Sequence, residues 1–246
     1  MNKTTIIVLA IIILGFGGLV TWSVLQSKQS ATNYDEYDSS KIIPANDNNG
    51  NIAEHVRGNV DSPVVVVEYG DMQCAGCATA QPRMTTLLNE YGDRVAFVFR
   101  NFPIQGHSNA RAAAAALESA GKQGYFWEMV DTIYANQALW SAESGSTRTN
   151  AFADLFKNIA PNGDVEQFKS DLGDSDIEKK ITFDYNIGMK RDTVQGTPAF
   201  YVNGKNINIS EANSESAFLE LLRSKIDEQL REAGLKTGPA DTTEEE

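Results

Sequence analysis

Glu68-Tyr69-Gly70-Asp71-Met72-Gln73-Cys74-Ala75-Gly76-Cys77 follows the apolar run Val64-Val65-Val66-Val67 and precedes a segment of helical character. It holds both cysteines of the chain, two residues apart. A strand that delivers Cys-x-x-Cys to the start of a helix makes a redox site. The first sulfur meets unpaired N–H groups and the positive end of the helix dipole, which favour thiolate over thiol. The second sulfur lies about one turn on, within reach to close a disulfide or to attack one. Two other readings stay open. The pair could be half of a zinc site, but His55 and His107 flank it without the His-x₃₋₅-His spacing of a finger. It could be a structural disulfide, but so short a loop removes little chain entropy.

Working outward, strands are expected over 64–69 and 94–100, with the helix of the cysteine motif running between them to about Tyr91 on Met84, Leu87 and Leu88. A parallel, right-handed βαβ unit follows. Helical stretches are expected at 109–121, 125–139, 151–159, 165–172 and 177–189, their apolar stripes read as core. Strands return at 199–202 and 205–209 around Asn203-Gly204, a strong hairpin signal. A last helix covers 214–233, with Phe218, Leu222, Ile226 and Leu230 four apart and Gly234 as its stop. The order is β-α-β, a helical block, then β-β-α: an α/β thioredoxin fold with an all-helical insertion (about 105–192), folded over 53–234.

The ends read differently. Ile6 to Leu25 carries no charge, and about 20 such residues span about 30 Å as a helix, the thickness of a bilayer core. No small-x-small cleavage site follows, so residues 1–27 are expected to be an uncleaved single-pass transmembrane anchor, amino end cytoplasmic and catalytic body outside the cell membrane. A cleaved signal peptide is the rival reading. Residues 28–52 are polar and read as a flexible tether, and 235–246 as an acidic disordered tail. With 33 acidic against 21 basic residues the net charge is −12, which disfavours nucleic acid and anionic headgroups as partners of the soluble part.

Three segments in this order, VVVVEYGDMQCAGC, RNFPIQGHSNARAAAAALESAGKQGYFWEM and GTPAFYVNG, make residues 53–234 resemble the membrane-tethered DsbA-like thiol–disulfide oxidoreductases. The resemblance implies a cis bond at Thr197–Pro198, in a loop packed on the cysteines; an ordinary trans proline is the alternative. Cys74 is then the exposed nucleophile and Cys77 its buried partner. By the same resemblance Glu68 is a buried acid that moves protons for Cys77, a rim carboxylate being the other reading, and Thr197 and Pro198 bind client backbone. No cofactor beyond the redox-active disulfide and no metal are expected. Implied partners are unfolded or reduced secreted proteins as substrates and a quinone-linked membrane reoxidant of DsbB or VKOR type; the chain is expected to be a monomer. Ala75-Gly76 offers no histidine, which suggests a weaker oxidant than the strongest of the family. A disulfide isomerase or reductase, and a tethered peptide-binding module, remain alternatives. Asp71 reads as a turn residue nearer the surface, and His107 as a cap of the insertion's first helix; His55 has no assigned role.

Overall fold

The computed structural model describes residues 32–212 and 214–239. The expected anchor (1–27) and the acidic end from residue 240 lie outside the described residues. Among the described residues no helix is long and apolar enough to cross a membrane.

Five strands form one sheet in the order β1-β3-β2-β4-β5: β1 (Val56–Gly58), β2 (Val65–Gly70), β3 (Ala96–Asn101), β4 (Ala199–Val202) and β5 (Lys205–Ile207). β2 and β3 run parallel, while β1–β3, β2–β4 and β4–β5 are antiparallel. Every residue of β2 and β3 is buried, as an apolar central strand covered on both faces requires. Alternation sorts the faces. Val66, Phe97 and Phe200 pack with Met84, Leu87, Leu222 and Ile226 of helices α1 (Ala75–Tyr91) and α8 (Glu215–Glu232). Val65, Val67, Tyr69, Val98 and Tyr201 pack with Phe183 and Ile187 on the opposite face. The β4–β5 turn holds Asn203 at φ 46° and Gly204 at φ 74°, the two left-handed positions such a hairpin needs.

Between β3 and β4 lie α2 (Ala110–Gly121), α3 (Phe126–Ala135), α4 (Gln137–Trp140), α5 (Gly145–Ile159), α6 (Val165–Asp171), α7 (Ser175–Asn186) and a π-helical turn (Ile187–Arg191). The thioredoxin-like α/β order with a helical insertion is therefore the observed one. The leading strand β1 is an addition; three residues carry too little pattern to be read.

Two boundaries need correction. Residues 34–52, within the stretch expected as a flexible tether, are packed down: Ile43 is buried against the sheet, and Asn49 and Ile52 lie against α7. Residues 39–41 are held by Arg100, fully buried on β3. Its Nε donates to Glu54 Oε1 at 2.5 Å, and its two terminal nitrogens donate to the carbonyls of Ser39 (2.9 Å) and Lys41 (3.0 Å). A buried guanidinium needs such a set of acceptors, and backbone carbonyls leave no trace in sequence. At the other end, the expected tail begins ordered: Arg94 donates to the Lys236 carbonyl and the Gly238 N–H to Asp227.

Candidate active site

β2 ends at Gly70, and the turn Asp71–Gln73 carries the chain to Cys74, which stands at the N-cap of α1 with extended backbone. Asp71 Oδ1 accepts the Gln73 N–H at 2.7 Å, the turn role expected of it. It is not near the surface, however: the side chain is buried, and Oδ2 accepts the Ile104 N–H and contacts His107 Nδ1, both at 2.8 Å. One carboxylate thus ties the loop after β2 to the loop after β3. His107 caps no helix; it spends its nitrogen on Asp71, and Asn109 occupies the N-cap of α2.

Cys74 is half-buried and Cys77 fully buried, both as free thiols. The Thr197–Pro198 bond is cis. This loop, 123 positions away, closes on the motif: Cys74 Sγ donates to the Thr197 carbonyl at 3.4 Å. A methyl group added at Gly76 would stand 3.3 Å from Pro198 Cδ. The Cys74 thiol is pulled down from 9.0 to about 5. A hydrogen bond from the Cys77 thiol is the largest influence; partial burial opposes it, while the Thr197 side chain and the N–H groups of Cys77 and Gly76 reinforce it. Among the described residues the Thr197 hydroxyl has no partner within hydrogen-bond geometry, so it is available to a Cys74 thiolate. Cys77 is displaced the other way, far above an ordinary thiol, by burial, by its bond to Cys74 and by Glu68.

Glu68 shares a strand face with Val66 and so points to the side covered by α1, the helix of Cys77. Both carboxyl oxygens are buried without a partner among the described residues. Burial, then the charge of Cys74, pushes this carboxyl up to about 8. It is a neutral acid at pH 7, not a rim carboxylate.

The family model described as "Thioredoxin" matches residues 50–224. A probable disulfide bond formation protein D of Bacillus cereus is 37% identical over 182 residues, covering 71% of this chain and 77% of that protein. The chain belongs to the DsbA-like thiol–disulfide oxidoreductases of the thioredoxin family. The oxidised form of BdbD from Bacillus subtilis shares the fold, with TM-score 0.61 and 24% identity over 78% of this chain and 98% of that one. A Na(+)/H(+) antiporter NhaA 1 of Salinispora arenicola is 36% identical over 172 residues, 67% of this chain. The chain spans about a quarter of the length of that antiporter, 25%.

In this DsbA-like chain the insertion grips the cysteine motif through side-chain amides that sequence reading missed. Gln137 Nε2 donates to the carbonyls of Met72 (2.7 Å) and Cys74 (3.2 Å). Gln73 donates to the Ser141 carbonyl and accepts the Asn109 N–H. Tyr134 of α3 was also missed; its hydroxyl donates to the Asp71 carbonyl at 3.4 Å. Amide-to-backbone bonds have no periodicity, and Tyr134 falls on the apolar stripe of α3. His55 stacks on Phe126, and its Nε2 lies 2.9 Å from the buried Glu118. Among the described residues no group of three or more His, Cys, Asp and Glu side chains could hold a metal ion.

Proposed function

We propose that the chain is an extracytoplasmic oxidase that introduces disulfides into reduced secreted or surface proteins through Cys74 and Cys77. The observation that carries this reading is the split between the two sulfurs: one half-exposed and held acidic, the other sealed and held as a thiol. A thiolate-stabilised Cys74 lowers the energy of the reduced form and so makes the disulfide form an oxidant.

A client thiolate attacks Cys74 of the disulfide, the Cys74–Cys77 bond breaks, and its electron pair leaves on Cys77. A second client thiolate attacks the client sulfur of the mixed disulfide and releases Cys74 as thiolate. The client loses two electrons and the Cys74–Cys77 pair gains them. Glu68, a neutral acid beneath the sulfurs, supplies a proton to Cys77 and recovers one from solvent. Thr197 and Pro198 hold the client backbone across Cys74. The apolar run before residue 26 anchors the domain to the membrane with the catalytic body outside, and a quinone-linked membrane protein of DsbB or VKOR type restores the disulfide.

Equilibrating the chain with mixtures of reduced and oxidised glutathione tests the direction. An oxidase has a disulfide that glutathione readily reduces, and the oxidised chain restores disulfides to a reduced client in stoichiometric amount. A disulfide that survives a large excess of reduced glutathione would instead mark a reductase, and a wild type without thiol–disulfide turnover whose Cys74→Ser variant still captures clients would mark a binding module.

A further inference from the structure

We propose that the Tyr134 hydroxyl is the hydrogen-bond donor that receives the Cys77 thiolate as it leaves Cys74, moving to that sulfur from the Asp71 carbonyl. The inference deepens the exchange reaction proposed above and rests on it. Among the described residues several groups face the Cys77 sulfur. Cys74 lies on its own helix, Glu68 comes from β2, the Asp71 N–H from the turn, and Tyr134 from α3. Tyr134 shares a core cluster with Cys77, Met72 and Phe99. Gly70 makes this approach possible: a Cβ there would fall 2.2 Å from the Phe99 ring and 3.2 Å from the Tyr134 hydroxyl oxygen.

The present bond of that hydroxyl, 3.4 Å to a neutral carbonyl, is long and weak. In the disulfide state the Cys77 sulfur is a poor acceptor and the hydroxyl stays with Asp71. Once a thiol attacks Cys74, the S–S bond breaks and Cys77 holds a full negative charge away from water. A donor already beside it then makes a charge-assisted bond, roughly twice as strong as a neutral one. The stabilisation exists only while charge is on Cys77, so it lowers the barrier without favouring either end state. Burial, with the charges of Cys77 and Glu68, holds the phenol protonated far above its ordinary range. Tyr134 therefore keeps its proton and Glu68 delivers one, a division of labour between two groups that sequence spacing places 66 positions apart.

The test uses the full chain as disulfide with reduced glutathione as probe. Glutathione thiolate bonds to Cys74 and displaces Cys77; a second glutathione releases oxidised glutathione and the reduced chain. Opening and reclosing rates are measured by stopped flow for wild type and Tyr134→Phe. The expectation is a fall of about tenfold or more in both rates, from the worth of a hydrogen bond to a charged group, with their ratio unchanged within about twofold. The Tyr134→Phe rate also falls more steeply than wild type above about pH 8, where Glu68 ionises and no second group carries the charge. Equal rates in wild type and variant overturn the proposal, and so does a change in one rate alone, which would mean altered stability of an end state. Tyr134→Leu, which also lacks a donor, must show the same kinetics if Tyr134→Phe folds poorly. A wild-type disulfide that does not exchange with glutathione at all contradicts the oxidase reading instead.

Discussion

The Cys74 sulfur lies 3.4 Å from the carbonyl oxygen of Thr197. That contact suits a thiol, which can donate, and not a thiolate, which cannot. The same residue carries the opposite preference on its side chain, a hydroxyl free to donate to the thiolate. Thr197 thus meets Cys74 in either protonation state, and the first turn of α1 decides which one prevails at neutral pH.

The reduced chain should be stabilised by Cys74 in a defined pH window. The folded-state value, about 5, lies below the ordinary 9.0, so the contribution is complete above about pH 9 and lost as pH falls to about 5. Urea unfolding of reduced wild type against reduced Cys74→Ser should give a difference that grows across that window. A difference independent of pH would contradict the assignment.

Glu68 has the opposite sign. Its carboxyl is raised from 4.5 to about 8, so burying it carries no ionisation penalty below pH 4.5 and an increasing one up to pH 8. Glu68→Gln should gain on wild type by about 2 kcal/mol across that interval, a shift of this size being discounted for relaxation and water entry. The pH-independent cost of burying the amide cancels from the trend. The same variant should exchange more slowly with thiols, because Cys77 loses its proton donor. Thermal unfolding and glutathione kinetics read the two effects separately.

Glu54→Ala takes the nearer carboxylate from the fully buried Arg100 and leaves it Asp192 at 3.8 Å. Removing one partner of a buried ion pair costs about 3–5 kcal/mol, and the segment bearing Ser39 and Lys41, whose carbonyls bind the same guanidinium, should loosen with it. Equilibrium unfolding gives the loss. Amide hydrogen exchange should show residues 37–54 losing protection while β2 keeps it.

Asp71→Ala removes the acceptor of two backbone N–H groups, Gln73 and Ile104, and the partner of His107. Hydrogen bonds to a charged group are worth about 1.5–3 kcal/mol each and are not additive here, so the expected loss is about 2–3 kcal/mol. Asp71→Asn, which keeps one acceptor, should lose less. Because this turn sets where Cys74 stands, Asp71→Ala should also slow exchange at a pH where the variant is fully folded.

Much of this architecture was legible in sequence because its signals are periodic or local. Val64 to Val67 could only be a covered strand, Phe218, Leu222, Ile226 and Leu230 only a helix face, and Asn203-Gly204 only a tight turn. The convergence of Cys74 with Thr197 and Pro198 came from the order of elements and the family resemblance. The misses have one physical origin. Arg100 is held by main-chain carbonyls of a polar stretch, and Gln137 binds carbonyls of the cysteine turn. Asp71 bridges two loops, and Tyr134 presents a hydroxyl from an otherwise apolar stripe. In each case one partner is a backbone atom or lies across the fold, and neither alters hydrophobic patterning.

The most direct test of the account is the pH dependence of alkylation of the reduced chain by iodoacetamide, with the labelled residue mapped by mass spectrometry. Modification at Cys74 alone, with the rate half-maximal near pH 5 and Cys77 untouched in the folded protein, is the predicted result. Labelling of Cys77 first, or a Cys74 rate that rises only near pH 9 like an ordinary thiol, would contradict it.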